Sequence, residues 1–241
     1  MQYVLVTGSN SGIGFGTIEY LMGLGYGIIA HYHTACENID RLFSQSDAEH
    51  YKIQADIRDA GSIKEMFSFI KGKGTGLYGL VNNAGIARDR MILWMKEEDW
   101  DDVLDLNLKG AFLCIKSALS LMIPRKTGRI VNIVSPSGIL GREGQANYSA
   151  SKGGLIALTR SVAREAAKLG ITSNAVCPGI IRTRMYDNLK PEAREMFIEH
   201  IPLKRPGEPG EVAGVIEFLL RKESSYITGS VLRVDGGLTI S

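Results

Sequence analysis

Three polar side chains in the middle of the chain could together move a proton to or from an oxygen atom. Tyr148 and Lys152 lie four residues apart in NYSASKGG, and Ser135 ends the apolar stretch RIVNIVS. Residues four apart share one face of a helix, and a neighbouring ammonium group would lower the phenol's pKa from its usual value of about 10. The serine hydroxyl could hold a carbonyl oxygen beside the phenol. These residues predict proton transfer on a small carbonyl or alcohol.

A second trio in the chain has the same spacing and serves as an internal control. Ser173, Tyr186 and Lys190 repeat the separations of 13 and four residues. Pro191 follows Lys190 and disfavours helical backbone there. Ser173 begins an apolar stretch whereas Ser135 ends one, and ligands of open α/β sheets bind outside the carboxyl ends of the strands. This context favours the first trio, although an aromatic ring packed on the sheet is the alternative for Tyr148.

Composition places the chain among ordinary globular proteins. It has 241 residues, 44% hydrophobic and 22% charged, with a formal net charge of +2. This length is compatible with one large α/β domain, and the small net charge gives no reason to expect nucleic acid or an anionic membrane as a partner. We expect no membrane span, because no apolar run approaches the required length. MQYVLVTG enters a strand at once, which leaves no room for a signal peptide.

The cysteines and histidines indicate neither disulfides nor a metal site. Cys36, Cys114 and Cys177 are far apart and mostly in apolar stretches, as expected for reduced packing residues of a cytoplasmic protein. The four histidines form no HExxH pattern. His31 and His33 alternate across a strand end, and a zinc pair there is the less favoured interpretation.

Short apolar runs alternate with longer helical stretches, a pattern typical of a parallel sheet with crossover helices. Strands are predicted at 3–7, 27–31, 51–55, 79–83, 129–134, 171–176 and 231–234, and helices at 14–24, 62–71, 97–123, 148–168 and 209–221. Residues 182–205 contain prolines and no buried strand, and are predicted to form a helical flap where substrate enters. The prediction is one α/β domain over residues 1–241, a doubly wound parallel sheet of about seven strands with helices on both faces.

The loop TGSNSGIG at 7–14 joins the first strand to the first helix. Gly8 would allow a tight turn, and Gly12 and Gly14 would let a pyrophosphate approach the helix N-terminus. A glycine-rich loop alone is weak evidence, because a plain strand-to-helix turn is the alternative. Support comes from small or polar residues after the third and fourth strands. The expected dinucleotide contacts are Gly8, Ser9, Asn10, Ser11, Gly12, Ile13, Gly14, Asp56, Ile57, Asn83, Ala84 and Gly85.

The end of the second strand bears on the choice between NAD and NADP. An acidic residue there would bind the ribose 2′-hydroxyl and repel a 2′-phosphate. The segment contains His33 and Thr34, and the first acidic residue is Glu37. No arginine or lysine stands there, but His33, Thr34 and Ser11 could hydrogen-bond a phosphate. NADP(H) is therefore favoured over NAD(H).

Together these motifs resemble the short-chain dehydrogenase/reductase family. The resemblance is carried by TGSNSGIG, NNAG, Asn107 in DLNLKG, Ser135, YSASK and Pro178-Gly179, and it runs nearly end to end. NNAGIARDRMILWMKEEDWDDVLDLNLKG and YITGSVLRVDGG resemble the 3-oxoacyl-[acyl-carrier-protein] reductases within that family. The resemblance implies a Rossmann-type fold and NADPH-dependent reduction of a 3-oxoacyl thioester of fatty-acid or polyketide type, giving the 3-hydroxyacyl thioester.

The resemblance also implies roles for individual residues. Tyr148 would donate the proton, and Lys152 would lower the pKa of Tyr148 and hold the nicotinamide ribose. Ser135 would bind the substrate oxygen, and Asn107 would position a water that links Lys152 to a proton relay. The residues expected to lie along the nicotinamide are Pro178, Gly179, Ile181 and Thr183.

Some positions depart from the family pattern. Pro136 follows Ser135 where many relatives have a valine or a similar residue, so the loop beside the serine is expected to differ. Lys126 matches one of the basic positions that bind the acyl-carrier protein near the active-site entrance, but Leu169 occupies another. These departures leave open an enzyme that acts on another alcohol or ketone. A cofactor-sensing protein without turnover is a further alternative, although it would need no proton donor.

The resemblance implies a homotetramer assembled through the two long helices and the C-terminal strand. Four apolar positions on these helices are compatible with such contacts and also with packing on the sheet. They are Phe112, Ile115, Leu155 and Leu158.

Overall fold

The structure is a computed structural model that describes residues 1–188 and 190–240. Its strands are β1 (Tyr3–Val6), β2 (Gly27–Tyr32), β3 (Tyr51–Gln54), β4 (Gly79–Asn82), β5 (Gly128–Ile133), β6 (Ile171–Pro178) and β7 (Val231–Val234). They form one parallel sheet in the order β3-β2-β1-β4-β5-β6-β7. The predicted seven-stranded parallel sheet is confirmed.

Helices cover both faces of the sheet. They are α1 (Gly12–Gly23), α2 (Glu37–Phe43), α3 (Ala60–Gly72), α4 (Glu97–Leu104), α5 (Ala111–Met122), α6 (Ser137–Leu140), α7 (Ala146–Ala166), α8 (Arg184–Asp187), α9 (Pro191–Glu199) and α10 (Pro209–Leu220). The five helices predicted individually are present, with α4 and α5 forming parts of the predicted 97–123 helix. The short helices α2 and α6 were not predicted.

The sheet separates two hydrophobic cores. Side chains alternate along a strand, so in β1 Tyr3 and Leu5 point into the core beneath α3, α5 and α7. Val4 and Val6 point into the core beneath α1, α2 and α10. All four residues of β1 are buried. Apolar runs without alternation, such as YVLV, are therefore what a sheet covered on both faces requires.

The position of β1 between β2 and β4 creates a switch point. The chain leaves β1 toward β2 and β3, and later returns to the other side through β4. In such sheets a ligand binds in the crevice at the carboxyl ends of the strands beside the switch point. The loop after β1 and the loop after β4 therefore flank one crevice, as the sequence motifs required.

The predicted helix at 97–123 is continuous but irregular. Between α4 and α5 the residues Asp105–Gly110 form a π-helical segment, and a 3₁₀ turn at Ile123–Arg125 ends the helix. Such π segments occur often at functional sites, and this one contains Asn107. At Gly110 a Cβ atom would lie 2.7 Å from the Ile57 carbonyl oxygen, so only glycine lets the helix approach the end of β3 this closely.

By length and composition alone, the helix Glu97–Arg125 could cross a membrane, contrary to the expectation that no segment reaches that length. Its apolar residues have another use, because Cys114, Ile115 and Met122 are buried in the core beneath the sheet. Packing on the sheet accounts for part of this composition, because 39% of the apolar window is buried.

Residues 182–205 contain α8 and α9, so helices are present in the predicted flap, of which Leu189 lies outside the described residues. Its base is closed by two main-chain hydrogen bonds: Arg182 N–H donates to the Gly207 carbonyl at 2.7 Å, and Gly207 N–H donates to the Ile180 carbonyl at 2.9 Å. In α9 the Phe197 ring lies 5.2 Å from the Arg142 guanidinium carbon. The segment therefore contacts the loop that precedes α7, and its role in covering substrate stays a prediction.

Candidate active site

The four residues predicted as catalytic come from three elements that meet at the carboxyl end of β5. Ser135 follows β5, Tyr148 and Lys152 lie in the first two turns of α7, and Asn107 lies in the π-helical segment. Short α6 packs directly against α7, because a Cβ at Gly138 would come within 2.7 Å of the Gly153 nitrogen. This close contact holds the loop after β5 beside the first turns of α7.

Pro136, the residue that departs from the family pattern, begins α6. Its φ of −50° and ψ of −35° are helical, and proline fixes φ near this value. The Pro136 carbonyl accepts hydrogen bonds from Ile139 and Leu140, both at 2.9 Å. Proline therefore favours the turn into α6, and it leaves the Ser135 hydroxyl at the end of the strand, where it accepts from Ser137 N–H at 3.3 Å.

The Ser135 hydroxyl acts on the Tyr148 phenol through hydrogen bonding that lowers its pKa. The pKa of Tyr148 as a whole differs from the expected direction. Burial raises the pKa of Tyr148 above its usual value, and the charge of Asp89 adds to that rise, whereas the Ser135 hydrogen bond lowers it. The net shift of the Tyr148 pKa is therefore upward, and the lowering contribution of Lys152 stays a prediction. A raised pKa keeps the phenol protonated at neutral pH, which is the form that can donate a proton.

Lys152 is almost completely buried, with 3% of its surface exposed. Its Nζ donates to the Ile133 carbonyl at 2.8 Å and lies 5.7 Å from the centre of the Tyr148 ring. Burial lowers the pKa of Lys152 to about 8. The lysine thus sits below the phenol ring rather than at its oxygen, and its charge is sensitive to pH near neutrality.

Asn107 connects three segments around this pair. Its side-chain oxygen accepts from Ile86 N–H at 2.8 Å, and its nitrogen donates to the Ile86 carbonyl at 2.9 Å and to the Ser151 hydroxyl at 3.1 Å. Ser151 in turn donates to the Tyr148 carbonyl at 2.8 Å. A Cβ on Gly85 would lie 3.2 Å from the Asn107 oxygen and 3.5 Å from Lys152 Nζ. Asn107 therefore ties the loop after β4 to the first turn of α7, and its water-positioning role stays a prediction.

The control trio does not assemble a comparable group. Ser173 lies within β6, and its buried hydroxyl has no hydrogen-bond partner among the described residues. Tyr186 lies in α8, and Lys190 precedes α9 with extended backbone (φ −63°, ψ 148°). Tyr186 and Lys190 therefore share no helix, as Pro191 predicted.

The glycine-rich loop is held open by the residues after β4. Asn83 Nδ2 donates to the Thr7 and Gly8 carbonyls at 2.9 and 3.1 Å, and the Thr7 hydroxyl accepts from Asn83 and Ala84 N–H, both at 3.0 Å. A side chain on Gly14 would overlap the Gly8 carbonyl and come within 2.5 Å of Asn83 Nδ2. The loop therefore presents main chain, free of side chains, at the N-terminus of α1. This cradle fits the pyrophosphate of a dinucleotide.

The remaining loop residues point in different directions. Ser9 is buried, its hydroxyl donates to the Val6 carbonyl at 2.6 Å, and its N–H donates to the His31 carbonyl at 2.9 Å, so its hydrogen-bond donors are already used within the protein. Asn10 accepts from Asn38 N–H at 3.2 Å and its carbonyl accepts from Asn38 Nδ2 at 2.8 Å. Ile13 packs against the core beneath α1. Ser11 precedes α1 with an exposed side chain and no capping hydrogen bond.

The predicted nicotinamide residues lie beside this loop. Pro178 ends β6, and a Cβ on Gly179 would lie 2.8 Å from the Asp235 Cα, so the chain passes close to the C-terminal segment here. Ile181 is buried. Thr183 Cγ2 lies 3.4 Å from the position that a Cβ on Gly12 would take, which brings the start of the flap against the glycine-rich loop.

His31 is a positioning residue that sequence reasoning missed. The side chain is 2% exposed; Nδ1 accepts from Gly8 N–H at 3.1 Å, and Nε2 lies 3.0 Å from the Ala55 carbonyl. These partners require a neutral imidazole with its proton on Nε2. Burial lowers the pKa of His31. One ring thus couples the glycine-rich loop to the end of β3.

We expect His31→Gln to weaken the acid sensitivity of the protein. The unfolded chain binds a proton at His31 near pH 6.5 that the folded protein resists, so stability from this group is lost as the pH falls below that value. The measurement is urea unfolding between pH 7 and 5, with NADPH affinity followed in parallel. The wild-type protein should lose more stability and affinity than the variant; identical slopes would refute this role. The pKa of half-buried His50 is also lowered, but His50 is common to both proteins and its effect cancels.

Asp56, expected to face the adenine, is already engaged by a neighbour. Arg58 donates to both carboxylate oxygens, at 2.7 to 3.2 Å, and holds the pKa of Asp56 down to about 2. His33 Nε2 lies 3.7 Å from the same carboxylate. Asp56 is therefore ionised and fixed at the edge of the crevice, with Ile57 buried behind it.

The structure also places a cation on the helix beside the glycine-rich loop. Arg41 lies in α2, which the sequence pattern did not reveal, and Nη2 is 3.5 Å from the Asn38 side-chain oxygen. Because Asn38 is bonded to Asn10, Arg41 stands on the helix that docks against the glycine-rich loop. The exposed Thr34 lies at the N-terminal side of the same helix.

Lys126 lies at the other end of the sheet, not near the active-site entrance as expected. It follows the 3₁₀ turn after α5 and precedes β5, and its carbonyl lies against Gly170 at the amino end of β6. Nine residues separate Lys126 from Ser135, which corresponds to about 30 Å of strand. Lys126 is therefore remote from the Tyr148 site of its own protomer.

Comparisons with known proteins identify relatives along nearly the whole chain. A family model described as enoyl-(acyl carrier protein) reductase matches residues 8–239. The 3-oxoacyl-[acyl-carrier-protein] reductase of Synechocystis is 42% identical over 99% of this chain and 97% of that protein. The proteins of the same name from Staphylococcus aureus and Thermotoga maritima are 41% and 44% identical, over 97% and 98% of this chain and 96% and 97% of theirs.

Proposed function

Since the chain belongs to the short-chain dehydrogenase/reductase family, we propose that it is an oxidoreductase that reduces a 3-oxoacyl thioester to the 3-hydroxyacyl thioester with NADPH. The observation that carries this proposal is the convergence of Ser135, Tyr148 and buried Lys152 at the carboxyl end of β5. The names of the similar proteins supply the substrate class. The same proposal includes a role in fatty-acid synthesis and a cytoplasmic location.

The chain's own residues would act on the carbonyl oxygen. A bound nicotinamide supplies the hydride that the carbonyl carbon accepts. Ser135 would hold the carbonyl oxygen, and Tyr148, neutral because its pKa is raised, would donate its proton to that oxygen. Lys152 below the ring would stabilise the resulting phenolate. Asn107, bonded to the loop after β4 and to Ser151, would hold the path by which Tyr148 recovers a proton.

Three observations support NADPH over NADH. No carboxylate follows β2 before Glu37, so the group that would repel a 2′-phosphate is missing. Asp56, the nearest acid after β3, is neutralised by Arg58. Arg41 adds a cation beside Asn38 and the glycine-rich loop. It would supply the positive charge for the 2′-phosphate that Ser11 does not provide.

We expect Arg41→Ala to raise the KM for NADPH about tenfold, the loss of one charge-assisted contact, and to leave the KM for NADH unchanged. Arg41→Lys should retain part of the preference, because it keeps the charge. The measurement is steady-state kinetics with both cofactors. An equal change in both KM values would remove Arg41 from the phosphate site, and a wild-type preference for NADH would overturn the cofactor assignment itself.

Four parallel assays, three with a candidate substrate and one without substrate, test the reaction. The matched family model is described by enoyl reduction, whereas the similar proteins are named for 3-oxoacyl reduction. Acetoacetyl thioester, crotonyl thioester, a free ketone and no substrate should therefore be compared under the same NADPH concentration. Oxidation of NADPH by the acetoacetyl thioester is expected. Turnover of the crotonyl thioester alone would make it an enoyl reductase, turnover of the ketone alone would indicate another small substrate, and cofactor binding without turnover would indicate a sensor.

The carrier-protein contact expected at Lys126 cannot serve the active site of the same protomer. A carrier bound at Lys126 would deliver substrate to the Tyr148 site of a neighbouring subunit, because the site of the same protomer is at the opposite end of the sheet. Lys126→Glu should then raise the KM for the carrier-bound substrate and leave the KM for the coenzyme A thioester unchanged.

We propose a homotetramer that uses the outer face of the long helices. Ile115 and Leu155, two of the four apolar positions, are buried in the protomer's own core, which is the alternative of packing on the sheet. Phe112 is 44% exposed and lines an apolar surface hollow of about 350 Å³ with Leu108 and Leu158. Such a hollow is available to a second subunit.

Phe112→Glu should therefore shift the protein to smaller species. A charge in the middle of an apolar contact is costly, while an exposed position should tolerate it within the protomer. Light scattering of the wild-type protein and the variant at equal concentration measures the effect. An unchanged mass would exclude this face, and a monomeric wild-type protein would exclude the tetramer.

A further inference from the structure

We infer that the amino end of the sheet carries a second binding site, specific for a phosphate group on a small organic molecule. A cavity of about 330 Å³ opens there between the starts of β1, β4 and β5. It is lined by three cationic side chains, Arg125, Arg129 and Lys222, and by the polar groups of Gln2, Thr75 and Thr127. Ser135 follows the far end of β5, so this cavity is separate from the Tyr148 site.

Arg129 is the centre of the argument. It is 5% exposed, and arginine remains charged at any ordinary pH. Its guanidinium donates to the carbonyls of Gly128 at 2.9 Å and Arg221 at 3.5 Å, and lies 5.7 Å from the Tyr78 ring. These contacts place one side of the guanidinium at the C-terminal end of α10. No carboxylate lies within 4.0 Å of it in the part of the chain that the structure describes.

Arg125 is held at the cavity by the chain before β4. A side chain on Gly76 would overlap the Arg125 guanidinium, and Gly76 has a φ of +74° that favours glycine. The guanidinium thus lies close to the main chain at Gly76. Lys222, just after α10, adds a third positive charge to the lining of the cavity. Three cations therefore surround one cavity on separate segments of the chain.

Negative charge does not balance these cations. No acidic residue lines the cavity among the residues described, and Glu223 acts on Tyr78, whose pKa burial raises and Glu223 raises further. A buried cation normally has an anionic partner, and Arg129 is the buried one of the three. The volume corresponds to roughly ten water molecules at about 30 Å³ each, enough for a phosphate group with a small organic body. Guanidinium groups bind phosphate oxygens in pairs, and the two threonine hydroxyls could hydrogen-bond the rest.

Calorimetric titration with glycerol 3-phosphate and with inorganic phosphate, each at constant ionic strength, tests the site. The wild-type protein should bind at least one of them, and Arg125→Ala/Lys222→Ala should raise that Kd tenfold or more, because it removes two charge-assisted contacts. Both side chains are exposed, so the fold should persist, which a melting curve verifies. Tighter binding of glycerol 3-phosphate would identify an organic phosphate as the ligand, and equal binding would identify the free anion.

A matched control separates this site from general charge and from the cofactor loop. Lys64→Ala/Arg164→Ala removes the same charges from exposed positions outside the cavity and should bind phosphate as the wild-type protein does. Phosphate held at the glycine-rich loop would be retained by both double variants. Absence of binding to the wild-type protein, or equal affinities in the two double variants, would overturn the proposal.

Discussion

Replacing Tyr148 with phenylalanine is expected to lower kcat about a thousandfold while NADPH binding and the melting temperature stay unchanged. The phenol is the only proposed donor to the substrate oxygen, and general acid–base catalysis contributes 10²- to 10⁴-fold. The substitution removes one oxygen atom from a half-buried ring and leaves the Lys152 contact with Ile133 in place. Steady-state rates with acetoacetyl thioester and fluorescence titration with NADPH measure the two parts.

The chain offers matched controls for this experiment. Tyr226 is fully exposed, so Tyr226→Phe deletes the same atom without consequence for the rate. Ser135→Ala should lower kcat by about a hundredfold, whereas Ser173→Ala removes a buried hydroxyl that has no partner among the described residues and should change neither rate nor fold. Equal activity of Tyr148→Phe and Tyr226→Phe would refute the assigned proton donor.

Replacing Lys152 with methionine should reduce kcat at least a hundredfold and also change how stability depends on pH. Burial lowers the pKa of Lys152 to about 8, against 10.5 for the unfolded chain. Between these values the unfolded chain holds a proton that the folded protein has released, so stability from this group rises with pH across that window. At about 1.4 kcal/mol per pH unit, the full rise is about 3 kcal/mol. Methionine at this position contributes no such rise.

Urea unfolding of both proteins at pH 7, 8 and 9 measures this effect as a difference. Cys114 and Cys177 have pKa values raised by burial to about 12 and make stability fall as the pH rises past the pKa of an unfolded thiol. They are present in both proteins and cancel. A wild-type curve parallel to that of Lys152→Met would mean that Lys152 is not buried as a titrating group.

Local sequence patterns were sufficient to predict the features that depend only on residues adjacent in the chain. Apolar runs such as YVLV identified every strand, because a sheet covered on both faces needs them. Gly8 and Gly14 were identifiable because their spacing and their position after β1 indicate a tight strand-to-helix turn, which can be inferred without knowing the neighbouring strands. Pro191 likewise separated Lys190 from Tyr186 on backbone grounds alone.

Features that depend on burial or on neighbouring strands were out of reach. The direction of the Tyr148 pKa shift reversed because burial outweighs the nearby groups, and burial is not visible in spacing. His31 joins Gly8 to Ala55 only because β2 pairs with both β1 and β3. Its isolation in an apolar strand, GIIAHY, was the one available signal. Lys126 was misplaced because the resemblance carried a role without saying at which end of β5 the residue lies.

The π-helical segment at Asp105–Gly110 limits the insertions and deletions that the helix containing it can accept. A π turn holds one residue more than an α turn, and each residue of a helix advances the rotation by about 100°. Deleting a single residue here would give a regular helix, but it would rotate Asn107 relative to the face of α5 that carries Cys114 and Ile115 into the core. Either the core or the Asn107 contacts with Ile86 and Ser151 would be lost. Insertions and deletions in this helix are therefore excluded.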